Sequence, residues 1–407
     1  MVWYNFGINV LVGGARLAAH WNPKIQKWVE GRRDLLSRVR QAIPEGERVV
    51  WFHAASLGEF EQGRPVIEAL RAARPDLKIL LTFFSPSGYE IRKNYSGADY
   101  VFYMPFDKPE MAKAFIDIVK PEMAVFIKYE FWLNHIEALR QAGCRTFLIS
   151  AIFRPNSIFF RPWGGAFRRA LTAYRTIFVQ NKASEELLRG IGVENVVVAG
   201  DTRFDRVAAL SEAMTDIATI EQFKGDHQMM VAGSTWGPDE EALLESINRN
   251  PEIKFIIAPH EMDENRIASL MSRIKGGAVR YTQSDGVDFD KCQVMIIDTI
   301  GILSAIYRYA DVAYIGGGFG VGIHNTLEAA TYGIPLAFGP NYKKFREAKE
   351  LIACGAARSV SSATELSAWF DGIMSDTESR RKAGEAAHRY IVENKGATQT
   401  ILAELLK

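Results

Sequence analysis

Residues Ala310-Asp-Val-Ala-Tyr-Ile-Gly-Gly-Gly-Phe-Gly-Val-Gly-Ile-His-Asn-Thr-Leu-Glu328 pass from a short apolar run into a glycine-rich turn, then into a helical start near His324 or Asn325. This is the pattern of one strand–turn–helix unit in a parallel sheet. Glycines there let the backbone approach a ligand closely, and a helix start offers free N–H groups and a positive dipole end suited to a phosphate. Glu328 lies three residues after Asn325 on the same helical face, within reach of the ribose of a nucleotide whose phosphate sits at the helix start. The spacing matches neither a dinucleotide-binding fingerprint nor a phosphate-binding loop of the Walker type. Tight packing is the other reading of these glycines.

Outward from this unit the same alternation fills the chain. In the second half, strands are expected at Met229–Ala232, Lys254–Ala258, Val294–Ile297, Val312–Ile315 and Pro335–Ala337, with helices such as Asp239–Asn248 and Glu264–Ile274 between them. In the first half they are expected at Arg48–His53, Lys78–Thr82, Tyr100–Tyr103, Met123–Ile127, Arg145–Ser150 and Thr176–Val179, with a helix over Gly63–Ala73. The fold class is therefore α/β, with two doubly wound, Rossmann-like domains, since 407 residues exceed what one core usually supports. We divide the chain into a membrane-associating segment 1–19, a first domain 20–205, a second domain 206–385, and a last helix 386–407 that crosses back to the first domain.

A net charge of +1 gives no reason to expect nucleic acid as a partner. Cys144, Cys292 and Cys354 are far apart and not at metal-ligand spacing, which suits a reducing cytoplasm. From Met1 to Ala19 the only charged side chain is Arg16, and Lys24, Lys27, Arg32, Arg33, Arg38 and Arg40 follow. No signal-peptide pattern is present. An interfacial helix beside a basic stretch fits an anionic membrane surface better than a span does; a buried N-terminal helix is the competing reading.

Several short segments carry candidate chemistry. In Trp51-Phe-His-Ala-Ala-Ser-Leu-Gly-Glu59 a strand runs into a turn, and Glu59 stands at the following helix start, where the dipole favours the ionised form that a general base needs. Alternatively, Glu59 only complements that dipole. Gly233-Ser234-Thr235, Pro259-His260-Glu261 and Asp298-Thr-Ile300-Gly301-Ile302 each follow a strand of the second domain, and so converge on one sheet edge, although each taken singly also reads as a structural cap. Glu130 follows the Met123–Ile127 strand, and Arg203 lies near the domain junction, suited to a carboxylate or a leaving phosphate, a solvated surface arginine being the other reading.

Together these strings resemble the 3-deoxy-manno-octulosonic acid (Kdo) transferases of bacterial lipopolysaccharide synthesis. The resemblance rests on Phe52 through Glu59, Ser150-Ala-Ile-Phe-Arg154-Pro155, Ala232-Gly-Ser-Thr235, Ile297 through Gly301, and Gly316-Gly-Gly through Asn325-Thr326-Leu327-Glu328 to Phe338-Gly-Pro340-Asn341. It implies a GT-B fold with two domains facing a central cleft, a CMP-Kdo donor, a lipid A precursor (lipid IVA) as acceptor, and inversion at the anomeric carbon. It also implies no metal or other cofactor, and work at the cytoplasmic face of the inner membrane. By this resemblance Glu59 is the general base, and Glu130 and Arg203 assist the transition state. Ser234, Thr235, Pro259, His260, Ile300, Gly301, Ile302 and Asn325 through Glu328 contact CMP. Three positions depart from the family pattern: His260 stands where Arg is usual, Ile302 where Glu is common, and Arg203 where Lys is common. Another GT-B nucleotide-sugar enzyme (a UDP-sugar transferase or an epimerase) and a non-catalytic nucleotide-sugar sensor are the alternative functions.

Overall fold

A computed structural model describes residues 1–213 and 216–407. The chain forms two compact units, one of Met1–Asp205 with Gly396–Lys407 and one of Arg206–Lys395. Each is built on a seven-stranded sheet.

In the first unit the strands are β1 (Val49–Ala54), β2 (Lys78–Phe83), β3 (Tyr100–Tyr103), β4 (Met123–Ile127), β5 (Arg145–Ala151), β6 (Thr176–Val179) and β7 (Val196–Val198). Their order is β3-β2-β1-β4-β5-β6-β7, and every pairing is parallel. The second unit has β8 (Met229–Thr235), β9 (Lys254–Pro259), β10 (Ala278–Arg280), β11 (Val294–Ile296), β12 (Val312–Ile315), β13 (Leu336–Phe338) and β14 (Ala357–Ser359), in the order β10-β11-β9-β8-β12-β13-β14, again all parallel. Helices pack on both faces, so central strands such as β1 and β9 are buried at every position. The order in each sheet reverses beside its first strand, β1 in one and β8 in the other, which puts a ligand crevice at the carboxyl ends there.

The sequence places eleven of these strands. Missed are β7, β10 and β14, each of three residues at a sheet edge. An edge strand is covered on fewer sides and needs no continuous apolar run; Val197 and Val198 of β7 are exposed.

The expected final helix is two helices. Thr377–Asn394 stays with the second unit, and Ala397–Leu405 returns to the first, where Ile401 and Leu405 join the core beside Ile67 and Phe178. The break falls at Gly396, whose φ of 109° suits glycine. Asp205 holds the returning segment by accepting the N–H groups of Gly396 (2.6 Å) and Thr398 (2.7 Å).

The N-terminal segment is a helix over Val2–Ala18. It is neither wholly a surface helix nor wholly a core one. Ile8 and Val12 are buried in a cluster with Trp28 and Phe106, while Val2, Trp3, Phe6, Val10, Leu11 and Leu17 are exposed. Of the basic residues that follow, Arg32 faces inward. It donates to the carbonyls of Met104, Trp28 and Phe84, each at 2.8 Å, inside a box of aromatic rings. Its role is structural, and the basic surface is left to residues such as Lys24, Lys27, Arg33 and Arg40.

Two glycines of the second unit let backbone pack directly against backbone. A Cβ at Gly318 would lie 2.4 Å from the backbone nitrogen of Gly339, and one at Gly339 would lie 2.4 Å from the carbonyl carbon of Gly318. Backbone cannot rotate away as a side chain can. Gly318→Ala is therefore expected to lower stability by about 1–3 kcal/mol, as overpacking does, read as an earlier urea midpoint.

Candidate active site

The first unit gathers its ionisable groups at the ends of β1 and β4. After β1, Ser56 is extended and starts the helix Leu57–Ala73, with Glu59 in the first turn. The Glu59 carboxylate turns back over the strand end, where Oε2 accepts the Ala55 N–H at 2.8 Å. Beyond β4 the chain takes a left-handed turn at Lys128 (φ 70°), and Glu130 follows, only 6% exposed. Glu130 Oε2 lies 2.9 Å from His53 Nε2 and accepts the Trp132 indole N–H at 2.5 Å.

His53 had no assigned role in the sequence, yet it is the polar residue in an otherwise apolar, fully buried strand. A buried polar side chain needs partners. Its Nδ1 is 2.8 Å from Thr82 Oγ1 on β2, and burial, more than any neighbour, lowers its pKa. The neutral ring that satisfies both contacts carries its hydrogen on Nε2, donates to Glu130, and accepts from the Thr82 hydroxyl.

Glu59 and Glu130 are thus brought together, with a consequence opposite to the expectation from the helix dipole. Burial, and next the charge of Glu130, push Glu59 up to about 7, against the lowering effects of the Ala55 N–H and Lys128. The dipole at an N-terminus contributes a fraction of a kcal/mol to about one, which burial beside a like charge outweighs.

Arg203 lies in the first turn of the helix Thr202–Ala213, and its guanidinium rests on Asp201 through Nε (2.9 Å) and Nη2 (2.7 Å). Its neighbour Thr202 is buried; its hydroxyl donates to the Gln62 carbonyl and lies 3.1 Å from the Ser150 hydroxyl. That pins the start of this helix to the sheet.

In the second unit the organiser is Asp239, a fully buried carboxylate that the sequence did not single out. It accepts the N–H groups of Trp236 (2.9 Å) and Gly317 (2.8 Å) and the Tyr314 hydroxyl (2.8 Å). The glycine-rich turn is thereby fastened to the end of β8. Ser234 there has a φ of 55°, and a Cβ on Gly316 would lie 2.3 Å from the Ser234 carbonyl oxygen. Gly316 and Gly318 therefore serve close packing, the alternative reading of the motif, whereas Gly320 faces open space.

The helix expected from His324 or Asn325 is shorter than anticipated. It spans Leu327–Ala330, a single turn, so its aligned dipoles are few. Asn325 caps the turn, accepting the Leu327 N–H at 3.1 Å and donating to Glu328 Oε1 at 2.9 Å. The Ser304 hydroxyl donates to Glu328 Oε2 at 2.6 Å. Glu328 is thus oriented from both sides. Thr326 and Leu327 are buried, and its neighbour Asn325 is exposed.

Of the other candidates, Thr235 is buried with its hydroxyl on Glu240 (3.0 Å), and Pro259 is buried as the last residue of β9. Ile300 is 89% exposed, followed by Gly301 at φ 99° and half-buried Ile302. His260 is exposed but stacked, its ring 4.9 Å from Trp236 and 4.3 Å from His324. The Trp236 indole N–H donates to His324 Nε2 at 3.1 Å. Burial first, then His260, lowers the His324 pKa, which keeps that nitrogen free to accept. Among the described residues, no group of three or more His, Cys, Asp and Glu is arranged to hold a metal ion.

Comparison with known proteins gives this arrangement relatives. Residues 15–206 match the family model described as 3-Deoxy-D-manno-octulosonic-acid transferase (kdotransferase). A 3-deoxy-D-manno-octulosonic acid transferase of Haemophilus influenzae is 25% identical over 401 residues, 95% of this chain and 92% of the relative. The enzyme of the same description from Bordetella pertussis is 27% identical over 373 residues, 88% and 86% of the two chains. Among solved structures, UDP-GlcNAc 2-epimerase from Neisseria meningitidis superposes with a TM-score of 0.63 at 16% identity, over 88% of this chain and 99% of that one. This last likeness is one of fold, two Rossmann-like domains of the GT-B type.

The Glu59–Glu130 pair makes a prediction of its own. Carboxyl-carbon NMR of Glu59 is expected to titrate near 7, and Glu130→Gln, which removes a neighbouring charge, to shift that midpoint down. An unmoved midpoint would mean that burial alone sets it.

Proposed function

We propose, for a chain that belongs to the Kdo transferase family, that it moves Kdo from CMP-Kdo onto a hydroxyl of a lipid A precursor, with inversion at the anomeric carbon. The observation that carries this reading is Glu59, turned over the end of β1 with its pKa raised to about 7. A base titrating near the working pH combines a usable ionised fraction with proton affinity. Glu59 takes the acceptor hydroxyl's proton as the oxygen bonds to the anomeric carbon. The bond from that carbon to the CMP phosphate breaks, and its electron pair leaves with CMP. CMP leaves readily, so no acid is needed and no second carboxylate acts as nucleophile. Glu130, anchored by His53 and Trp132, places negative charge beside this centre as it becomes cationic. Arg203, oriented by Asp201, offsets the charge of the anionic donor.

In this reading the second unit holds CMP. Glu328, oriented by Ser304 and Asn325, accepts ribose hydroxyls. Ser234, Thr235, Asn325, Thr326 and Leu327 line the phosphate and ribose side. Pro259, His260, Ile300, Gly301 and Ile302 shape the rest of the nucleotide contact. The reaction needs no metal.

The lipid acceptor sets where the enzyme works. No helix among the described residues is long and apolar enough to cross a membrane. The outer face of Val2–Ala18 is mostly apolar, with Asn9 and Arg16 also exposed, Trp21 beyond it is exposed, and basic residues follow. Such a helix lies in the interface of an anionic leaflet, here the cytoplasmic leaflet of the inner membrane.

Two experiments test this. Incubated with CMP-Kdo and a lipid A precursor in EDTA, the protein is expected to release CMP and add Kdo, scored by mass. Glu59→Gln is expected to lose at least about a hundredfold in transfer while still binding CMP. Release of a uridine nucleotide from a UDP-sugar instead, or transfer by Glu59→Gln at the native rate, would refute the assignment. Because the base must be deprotonated, transfer is expected to rise with pH through about 7 and level above it, with that rise absent in Glu59→Gln.

The second concerns the membrane. Removing residues 1–19 would strip Ile8 and Val12 from the core, so truncation is a poor test. Replacing Trp3, Phe6 and Leu17 with serine touches only the exposed face. That variant is expected to melt like the native protein yet float poorly with anionic vesicles, and to lose more transfer to acceptor in vesicles than in detergent.

A further inference from the structure

Trp132 belongs to two groups of residues at once. Its indole N–H donates to Glu130 Oε2, while its ring packs against the cluster of Ile8, Val12, Trp28 and Phe106, 4.6 Å from the Phe84 ring. Ile8 and Val12 are the buried residues of the N-terminal helix. The inner face of that helix therefore shares one packed cluster with the side chain that bonds Glu130.

Polar ties run in parallel with this packing. The helix Leu133–Gln141 begins directly after Trp132, and Asn134 in its first turn donates through Nδ2 to Asn5 Oδ1 at 2.9 Å. Asp107, itself buried, accepts the Asn134 and His135 backbone N–H groups at 3.1 and 2.9 Å and lies 2.6 Å from His135 Nδ1. The same carboxylate accepts the Tyr4 hydroxyl at 2.5 Å. Burial, and then Asp107, raise the Tyr4 pKa far above its ordinary value, so the hydroxyl stays protonated and keeps donating. Tyr4, Asn5, Ile8 and Val12 share one face of a helix at spacings of three and four.

An interfacial anchor alone would not need these contacts. A helix held only by lipid can spare hydrogen bonds to the protein interior, and a helix held only by its core would not expose so many large apolar residues on its other face. Here one face is built for each purpose, and the inner one converges on the segment from Glu130 to Asn134.

We propose that Trp132 is a positioning residue for Glu130, and that the N-terminal helix, through Tyr4, Asn5, Ile8 and Val12, holds Trp132 and the helix start behind it in place. The N-terminal helix is then part of the transfer apparatus as well as its attachment to the membrane. This rests on the reading that Glu130 assists transfer. A shift of the N-terminal helix would reach Glu130 through Trp132 without any change in the nucleotide-binding unit. Small displacements of a reacting group are costly to the chemical step and leave remote binding intact.

The test uses the full-length chain with acceptor dispersed in detergent, so that membrane attachment does not limit the rate. Trp132→Phe keeps an aromatic ring and deletes the N–H; Tyr4→Phe deletes only the hydroxyl. Trp132→Phe is expected to lower kcat at least about tenfold, and Tyr4→Phe about threefold or more, each with donor KM nearly unchanged. Melting temperature is expected to stay near native for Tyr4→Phe; should Trp132→Phe lose its fold, Tyr4→Phe decides. In Trp132→Phe/Glu130→Gln the loss is expected to be no larger than in Glu130→Gln alone, because both changes remove one function. Native kcat in both single variants, beside a clear loss in Glu130→Gln, would overturn the positioning role and leave the proposed transfer standing. So would fully additive losses in the double variant. Native kcat in Glu130→Gln would instead remove Glu130 from the mechanism, and this inference with it.

Discussion

Both sheets are parallel and covered by helices on both faces, so their central strands have no solvent side on which to carry polar groups. The rest of the architecture follows from that constraint. Burying an unpartnered polar group costs a few kcal/mol, so chemistry is driven to the carboxyl ends of the strands, where the chain turns and backbone N–H groups come free. His53 is the exception within β1, and it is tolerated because Thr82 and Glu130 satisfy both ring nitrogens. That exception has a use. It lets a strand that is buried along its whole length hold a carboxylate in place at its end.

The two units solve the edge problem by different means. In the first, a chain of side chains from Thr82 to His53 to Glu130 to Trp132 fixes the site, and Glu59 is set by its own back-bond to Ala55. In the second, backbone approaches backbone. Gly316 lies against Ser234, Gly318 lies against Gly339, and Asp239 draws the turn down onto β8. Side-chain networks leave a pKa tunable by neighbours, which suits a base. A backbone cradle resists deformation, which suits the holding of a nucleotide.

This difference explains what the sequence made legible. Alternating apolar runs located the buried strands, because burial on two faces leaves a continuous signal. The edge strands β7, β10 and β14 left none, being three residues long and partly exposed. The positions of Glu59, Glu130 and Glu328 could be read because each follows a strand or a glycine turn. Their electrostatics could not. The raised pKa of Glu59 depends on Glu130, which lies seventy-one positions away in the chain and nearby only in the fold. Arg32 misled in the same way: a basic residue in a basic stretch reads as surface, and only the carbonyls of Met104 and Phe84 reveal the buried site it fills. Asp239 gave a faint signal, an acidic residue two positions into a helix behind Trp236. Its grip on Gly317 was invisible without the sheet.

His260 stands where the resembled family usually has an arginine, and in the structure it is held by ring contacts. Arginine is a fork of donors that needs carboxylate or phosphate to satisfy it. A histidine stacked on both Trp236 and His324 is fixed by ring packing instead, and the Trp236 N–H donates to His324 Nε2. Three rings packed on one another stand at the end of β9, where an arginine would present a flexible charge. This contact is thus set by ring packing rather than by a fixed charge. The Leu327–Ala330 turn is likewise local in its reach, since a single helical turn leaves N–H groups free but sums few aligned dipoles.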